Sequence, residues 1–428
     1  MRFRFVLAAV ALVLSLNISA DNRSIQCNGC WEAFPRQPSV EESLGVNIHF
    51  VDPQPGEIRM IADAGFRWIR TDFVWQITER EAGRYDFSAY DRLLRQLDEA
   101  GLHALFILDY GNTLYTEGKS VRTAEARAAF ARWAVAAAQH FAGRGVIWEV
   151  FNEPNNKMFW PPTPNAEEYN ALASEVGRAF RATVPNEKLI GPAIDANDVQ
   201  FLESCLKAEA ADSWSAVSLH PYRQTNPETA AADYARVREL INKHRDNSNP
   251  QALNITSSEW GYSSSWARMN EERQAIMLTR SLLTNIANGI PLSIWYDWRD
   301  DGSDPRDPED HFGLVRHEYT PGRAFVYEPK PAYLAARTLT ATLQGFRFQE
   351  RLNLGSVDDY VLVFNRNGER RLVAWTTAAS PHRLAIRNLS GEFATTTISG
   401  SAGGRISAGA DGLSIDVSAA PVYLVPAH

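Results

Sequence analysis

Short apolar runs alternate with amphipathic segments between residues 44 and 346. The short runs are rich in Val, Ile, Leu and Phe and show little polar alternation, as strands do when both faces of a sheet are buried. They predict eight strands, at residues 45–50, 68–73, 104–109, 146–151, 189–191, 216–220, 255–259 and 292–296. The amphipathic segments predict a helix after each strand, at residues 55–64, 87–100, 123–141, 167–182, 199–208, 230–243, 271–288 and 331–343.

Eight strand-then-helix units in about 300 residues predict an α/β fold, a closed (β/α)8 TIM barrel whose chemistry lies at the C-terminal ends of the strands. An open, doubly wound sheet is the alternative arrangement of such units. It would be expected to carry a glycine-rich phosphate loop after an early strand, and the sequence has none there.

A different pattern begins near residue 347. Residues 360–364 and 371–375 alternate around Asn367-Gly368, which is a strong signal for a two-residue hairpin. Asp411-Gly412 predicts a second hairpin between residues 405–408 and 413–417, and residues 422–425 predict a last strand. Residues 347–428 are therefore expected to form a small antiparallel β-sandwich domain after a catalytic barrel at 43–346.

The N-terminus has the features of a secretory signal. Arg2 and Arg4 precede an apolar run at residues 5–16, and Ile18-Ser19-Ala20 is a suitable cleavage site. We expect residues 1–20 to be removed, residues 21–42 to form an extension, and the protein to be periplasmic or extracellular. A retained N-terminal anchor is the alternative, but no later stretch is long and apolar enough for a membrane helix.

Charge and cysteine content narrow the partners and the compartment. The formal net charge is −8, and loss of the leader would make the chain more negative, which disfavours nucleic acid and anionic membranes as partners. The three cysteines are Cys27, Cys30 and Cys205. In an exported chain Cys27 could pair with Cys30, one of the two could reach Cys205, or all could stay unpaired.

Two glutamates are the candidate catalytic residues. Glu153 follows the fourth predicted strand in the sequence Trp-Glu-Val-Phe-Asn-Glu-Pro at residues 148–154. Pro154 disfavours helical geometry at the residue before it, which is Glu153. Glu259 ends the seventh predicted strand. Two acids delivered by strand ends suit retaining glycoside hydrolysis, with Glu153 as acid/base and Glu259 as nucleophile. Such roles require neighbouring charges that separate the two pKa values.

Polar residues at other strand ends are candidates for substrate contacts. Arg70 could supply the positive charge that keeps Glu259 ionised. His220 and Tyr222 close the sixth predicted strand, and a hydroxyl there could donate to the nucleophile. Asn152 could bond the sugar 2-hydroxyl, an interaction that strengthens as the oxocarbenium ion develops.

Twelve tryptophans are many for this length. Aromatic faces stack on the C–H faces of pyranose rings, so tryptophans at strand ends indicate a sugar groove. The candidates are Trp75 after the second strand, Trp160 after the fourth, and Trp295 and Trp298 at the eighth. Buried structural tryptophan is the alternative for each of them.

Taken together, these residues resemble the retaining (β/α)8 glycoside hydrolases, and more narrowly family thirty-nine and its PslG-type members. The resemblance rests on residues 43–49, which end at His49, and on residues 148–155, 218–222, 258–261, 295–298 and 311–314. It implies endo-type cleavage of a matrix polysaccharide, with Glu153 as acid/base and Glu259 as nucleophile, and we expect this polymer to be a bacterial exopolysaccharide. His49 is a further candidate for a substrate contact. No metal or cofactor is expected, because protonation and covalent attack do the work.

The resemblance also suggests a link to the exopolysaccharide biosynthesis machinery. An exo-acting β-xylosidase is the alternative within the enzyme class, because family thirty-nine also includes such enzymes. A non-catalytic polysaccharide-binding protein is the alternative from another class.

Overall fold

A computed structural model of the protein describes residues 34–35, 37–196, 198–245, 253–387 and 389–427. The predicted leader at 1–20, together with Cys27 and Cys30, lies outside the described residues. Cys205 is buried as a free thiol. Among the described residues, no helix has the length and apolar character needed to cross a membrane.

Eight parallel strands form a closed barrel in sequential order. The circle closes where Leu44 and Gly45 of the first strand pair with Ser293 and Ile294 of the last. This closure confirms the predicted barrel and excludes the open sheet. The strands are β1 (Leu44–Asn47), β2 (Trp68–Val74), β3 (His103–Asp109), β4 (Ile147–Val150), β5 (Lys188–Asp195), β6 (Trp214–His220), β7 (Asn254–Trp260) and β8 (Ser293–Trp295).

The lack of a side chain at Gly45 lets β1 approach both neighbouring strands closely. A Cβ atom at this position would lie 2.5 Å from the Ile294 side chain and 2.6 Å from Trp68 Cβ, closer than real contacts allow. Glycine is therefore the residue that fits at this point of the closed barrel.

Helices surround the barrel and bury its outward-facing side chains in one large core. Side chains alternate along a strand, so every second residue faces the helices and the others face the barrel axis. The helices are α1 (Glu57–Asp63), α2 (Trp75–Thr78), α3 (Ser88–Ala100), α4 (Ala124–His140), α5 (Ala166–Thr183), α6 (Val199–Lys207), α7 (Ala230–His244), α8 (Glu271–Ala287) and α9 (Pro331–Thr342).

The C-terminal region forms two antiparallel sheets around a second, smaller core. One sheet has six strands in the order β14-β13-β16-β11-β10-β9, and the other pairs β12 with β15. The predicted antiparallel domain is thus confirmed. Its strands are β9 (Arg347–Arg351), β10 (Asp359–Arg366), β11 (Glu369–Thr376), β12 (His382–Ile386), β13 (Glu392–Thr397), β14 (Ala402–Ser407), β15 (Leu413–Val417) and β16 (Val422–Pro426).

The two predicted hairpins have different outcomes. Asn367 and Gly368 both have positive φ and join the paired strands β10 and β11, as predicted. At Asp411-Gly412 the predicted tight turn is present, since Gly409 and Gly412 exchange two backbone hydrogen bonds. The predicted pairing of the flanking strands was wrong, because β14 pairs with β13 in the larger sheet while β15 pairs with β12 in the smaller one. The turn therefore carries the chain between the two sheets.

A buried ion pair connects the C-terminal sheet to the barrel. Glu228, in a 3-10 helix at Pro227–Thr229, accepts two hydrogen bonds of 2.7 Å from the Arg280 guanidinium on α8. The indole of Trp375 on β11 donates a third, also of 2.7 Å, to Glu228. All three side chains are buried, so the removal of one leaves the others without their partner in a dry environment.

We expect Arg280→Leu to lower the free energy of unfolding by about 3–5 kcal/mol, because Glu228 would remain buried without its cation. The same change in an exposed pair provides the control. Arg178, half exposed, contacts Glu209 on the surface, and Arg178→Leu should cost less than about 1 kcal/mol. Guanidinium unfolding followed by tryptophan fluorescence measures both, and equal midpoints for the two variants would contradict this role of the buried pair.

Candidate active site

Arg70 is the centre of a hydrogen-bond network at the C-terminal mouth of the barrel. It is only 1% exposed, and it faces the axis from β2. Its Nε donates to Glu149 at 2.8 Å, and one terminal nitrogen donates to Glu259 at 2.6 Å and to Asn47 at 3.2 Å. The other terminal nitrogen donates to Asn152 at 2.8 Å. The rigid guanidinium fork therefore fixes side chains from β1, β4, β7 and the turn after β4.

Glu153 lies in a tight turn after β4. Its φ is +42° and that of Phe151 is +68°, values that residues other than glycine seldom adopt. The Glu153 amide donates to the carbonyl of Ala193 at 2.9 Å, so β5 holds the turn in place. The geometry at Glu153 is therefore a turn and not the start of a helix, as Pro154 predicts.

The imidazole of His220 contacts Glu153 from the end of β6. His220 Nδ1 lies 2.9 Å from Glu153 Oε1, while its Nε2 lies 3.4 Å from an Arg70 nitrogen. Since arginine can only donate, Nε2 accepts and Nδ1–H donates to Glu153. Burial raises the pKa of Glu153, but this hydrogen bond and a second one, donated by Asn156 at 3.0 Å, outweigh it, and the pKa lies below its ordinary value.

Glu259 at the end of β7 faces Glu153 across the barrel mouth. One oxygen accepts from Arg70, and the other accepts from the Tyr222 hydroxyl at 2.9 Å. Burial raises the pKa of Tyr222 well above its ordinary value, and the charge of Glu259 raises it further, so Tyr222 keeps its proton. An oxygen of Glu153 and an oxygen of Glu259 lie within 4.8 Å of each other. The structure thus brings together Arg70, Asn152, Glu153, His220, Tyr222 and Glu259, all predicted from sequence.

The sequence and the fold that carry this pair of carboxylates can be compared with those of known proteins. Residues 38–302, more than half of the chain, match the model of a family described as Cellulase (glycosyl hydrolase family 5). The chain belongs to this family. No curated protein sequence matches it. The (β/α)8 glycoside hydrolase that the resemblance implied is confirmed, whereas membership of family thirty-nine stays a prediction.

Solved glycoside hydrolases share the fold. A family 39 glycoside hydrolase from Bacteroides cellulosilyticus WH2 has a TM-score of 0.76 and 24% identity, over 92% of this chain and 81% of that one. A family 39 β-xylosidase from Caulobacter crescentus has a TM-score of 0.64 and 17% identity, over 90% and 96%. A family 30 endoxylanase from Clostridium papyrosolvens C71 has 0.64 and 11%, over 92% and 97%.

The four tryptophans predicted to line the sugar groove of this hydrolase do not present a ring face to solvent. Trp75, Trp160 and Trp298 are fully buried, and their indole nitrogens donate to Glu79, Glu168 and Glu57 respectively. Trp295 is also buried and packs beside Tyr262. Each of the four side chains is at most 1% exposed, so the structure corrects their prediction as surface platforms to the buried structural alternative.

Strand alternation explains the error at Trp295. Ser293 bonds Asn285 of α8 and so faces the helices, which makes Trp295, two residues later, face the same way. Tyr296 faces the mouth instead. Its half-buried ring lies 6.5 Å from that of Tyr222 and 5.4 Å from that of His49. The aromatic residue of the site was therefore missed by one position, and the two-residue period of the strand could have identified it.

Other site residues were also missed in the sequence. Glu149 on β4 is fully buried, and Arg70 forms one ion pair with it and another with Glu259. Asp72 lies two residues after Arg70 and therefore also faces the barrel axis. The signal in both cases is a charged residue within an otherwise apolar strand run.

His49, predicted as a substrate contact, lies beside two aspartates at the rim. Its Nδ1 is 3.1 Å from Asp301 and 3.7 Å from Asp297. Partial burial lowers the pKa of His49, but the hydrogen bond to Asp301 and the charges of Asp297 and Asp301 outweigh it and raise the pKa to about 9. His49 is therefore an imidazolium at neutral pH.

Within the part of the chain that the structure describes, two groups of side chains are close enough to ligate a metal ion: His49 with Asp297 and Asp301, and Glu153 with His220 and Glu259. Hydrogen bonds of Arg70, His220 and Tyr222 already account for the second group. The imidazolium of His49 supplies positive charge in the first.

The raised pKa of His49 makes stability depend on pH. A group with a raised folded-state pKa stabilises fully below its unfolded value, about 6.5, and loses this contribution as pH rises through about 9. We therefore expect the thermal midpoint of the wild type to fall between pH 7 and 9, and that of His49→Gln to fall less. His317→Gln is the control, since the described residues include no ion pair of His317. Parallel pH profiles of wild type and His49→Gln would contradict the ion cluster.

Proposed function

We propose that the protein is a retaining glycoside hydrolase, with Glu259 as nucleophile and Glu153 as acid/base. The observation that carries the proposal is the separation of the two carboxylates, oxygen to oxygen within 4.8 Å. Retaining enzymes have carboxyl groups about 5–5.5 Å apart, whereas inverting enzymes need about 6.5–9.5 Å to admit a water molecule. The close pair supports direct attack of one carboxylate on the sugar.

In the first step, Glu259 attacks the anomeric carbon and Glu153 protonates the departing oxygen. Arg70 and the Tyr222 hydroxyl hold the two oxygens of Glu259, which fixes the carboxylate for attack. Asn152, oriented by Arg70, is available for the sugar 2-hydroxyl.

The hydrogen bond from His220 suits Glu153 to the second step, in which it acts as a base toward water. The charge of Glu259 changes during the cycle. While Glu259 is ionised, its negative charge favours a protonated Glu153, and the glycosyl ester removes that charge. Glu153 thus holds its proton more readily before the first step, in which it donates it, and is ionised more readily before the second, in which it accepts one.

We further propose endo-type action on an exported exopolysaccharide. Half-buried aromatic rings follow strands on opposite sides of the barrel. Tyr110 follows β3 and stacks at 5.8 Å with Phe159 in the loop after β4, while Trp266 lies in the loop after β7 and Tyr296 follows β8. Aromatic rings on both sides support a polymer that continues past the cleaved bond in both directions. The leader at residues 1–20 supports export, and the family thirty-nine, PslG-type resemblance supports the choice of polymer.

A β-xylosidase is the second candidate, because a family 39 enzyme of that name shares the fold. The products separate the two. We expect the protein to convert a susceptible bacterial exopolysaccharide into a ladder of oligomers, resolved by size-exclusion chromatography, because a groove with platforms on both sides binds internal bonds. Release of monosaccharide alone, together with turnover of aryl β-xyloside, would favour the exo-acting enzyme.

The two glutamates should respond differently to the leaving group. Glu259→Gln should lose turnover by orders of magnitude on every substrate. Glu153→Gln should lose about 10²–10⁴ in kcat on a natural glycoside, but far less in the first step with an activated aryl glycoside, whose leaving oxygen needs little protonation. Glu209→Gln on the exposed surface is the matched control.

Proton NMR should also show that the first product has the same anomeric configuration as the substrate. Product of the opposite anomeric configuration, or near-normal turnover by Glu259→Gln, would exclude the double displacement. Binding of polysaccharide without any hydrolysis in the wild type would instead identify a non-catalytic binding protein.

A further inference from the structure

Asp297 is a buried carboxylate that lacks a hydrogen bond. Its side chain is 3% exposed and its Oδ1 has no partner among the described residues. Its other oxygen faces His49 Nδ1, but at 3.7 Å, beyond hydrogen-bond distance. A buried carboxylate normally accepts several hydrogen bonds, and its loss of hydration without them is costly. Asp297 is thus an acceptor that a bound molecule can satisfy.

The surroundings of Asp297 are continuous with the proposed nucleophile. Tyr222 contacts Glu259, the ring of Tyr222 meets that of Tyr296, and the ring of Tyr296 meets that of His49. His49 in turn contacts Asp297. A sugar held at Glu259 therefore extends along this wall, which is formed by His49, Tyr296, Asp297 and Asp301.

The wall has more negative than positive charge. Asp301 adjoins His49, Asp72 acts on His49 through its charge, and Glu309 accepts from the Tyr296 hydroxyl at 2.9 Å. His49 is the cation of this group, because Arg70 is already bound to Glu149 and Glu259. Burial raises the pKa of Asp297 well above its ordinary range, and the charges of Asp301 and Asp300 raise it further. The charges of His49 and Lys330 act in the opposite direction, but Lys330 is itself paired with Asp300 at 2.8 Å.

We propose that this wall binds a sugar that carries a protonated amine. A neutral sugar would supply hydrogen-bond donors to Asp297 but leave the excess of carboxylates uncompensated, whereas an ammonium group supplies both donors and charge. A uronic acid would place a further carboxylate against Asp297 and Asp301 and is excluded by repulsion. The inference rests on the proposed function and names its substrate class: a polysaccharide that contains amino sugars with free amines.

Binding can be measured without turnover in the Glu259→Gln protein by calorimetry or intrinsic fluorescence. The probes are methyl glycosides of gluco, galacto and manno configuration, each as the neutral sugar, the 2-amino and 6-amino sugars, their N-acetyl forms and the uronic acid. A hydrogen bond to a charged group is stronger than one between neutral groups. We therefore expect at least one free amine to bind about tenfold or more tightly than both its neutral parent and its N-acetyl form, and uronic acids to bind most weakly.

Asp297→Asn keeps the shape of the side chain and removes its charge, and it should reduce the preference for the amine to within about twofold. Asp301→Asn provides a second variant that the fold tolerates, since this side chain is 43% exposed, and it should weaken the preference in the same direction. Asp416→Asn, an exposed aspartate on β15, is the matched control and should retain the preference.

Equal affinity for amine, neutral and acetylated sugars in every configuration would overturn the proposal. Stoichiometric binding of Ca²⁺, Mn²⁺ or Zn²⁺ that is lost in Asp297→Asn would also overturn it, because the wall would then be a metal site. The proposed function fails separately: hydrolysis of neutral polymers without any amine preference leaves the glycosidase intact, and an amine preference without hydrolysis in the wild type leaves the binding wall intact.

Discussion

The site depends on one buried arginine. Arg70 has its charge inside the barrel, where an unpaired ion is very costly, and the carboxylates of Glu149 and Glu259 compensate it together. The shared cation explains why Glu149, which makes no contact with Glu153, is fully buried beside the proposed catalytic pair. It also explains the placement of Asn152, since the same guanidinium plane orients it. A lysine could not do this, because it has no rigid fork of donors.

Much of the fold follows from local patterns in the sequence. Apolar strand runs and amphipathic helices are strong signals. Closure of the barrel follows from eight consecutive strand-then-helix units and from Gly45, which lets β1 lie close to both neighbouring strands. The hairpin at Asn367-Gly368 is local in the same way. The sheet change at Gly412 is not local, because the partners of β14 and β15 lie elsewhere in the chain and the turn residues do not specify them.

The site shows the same division. Glu153 and Glu259 are marked by strand ends, by proline and by their pairing, and Arg70, His220 and Tyr222, which contact them, were found in the same way. Asn156, which also donates to Glu153, was not. The aromatic contacts were not. Tryptophan is suited both to stacking on sugars and to filling a core, and only the direction of the strand decides between these roles, as at Trp295 and Tyr296. Ion pairs between distant strands, such as Arg70 with Glu149, leave no mark in a single sequence.

The buried triad of Glu228, Arg280 and Trp375 has a consequence for the relation between the two domains. Glu228 follows Tyr222 by six residues in the loop after β6, so the indole of the C-terminal sheet is anchored on the segment that leads away from the site. The C-terminal sheet thus stabilises the loop after β6. The barrel is consequently not a self-sufficient module, and shortening the chain at residue 346 would remove a support for the hydroxyl that orients Glu259.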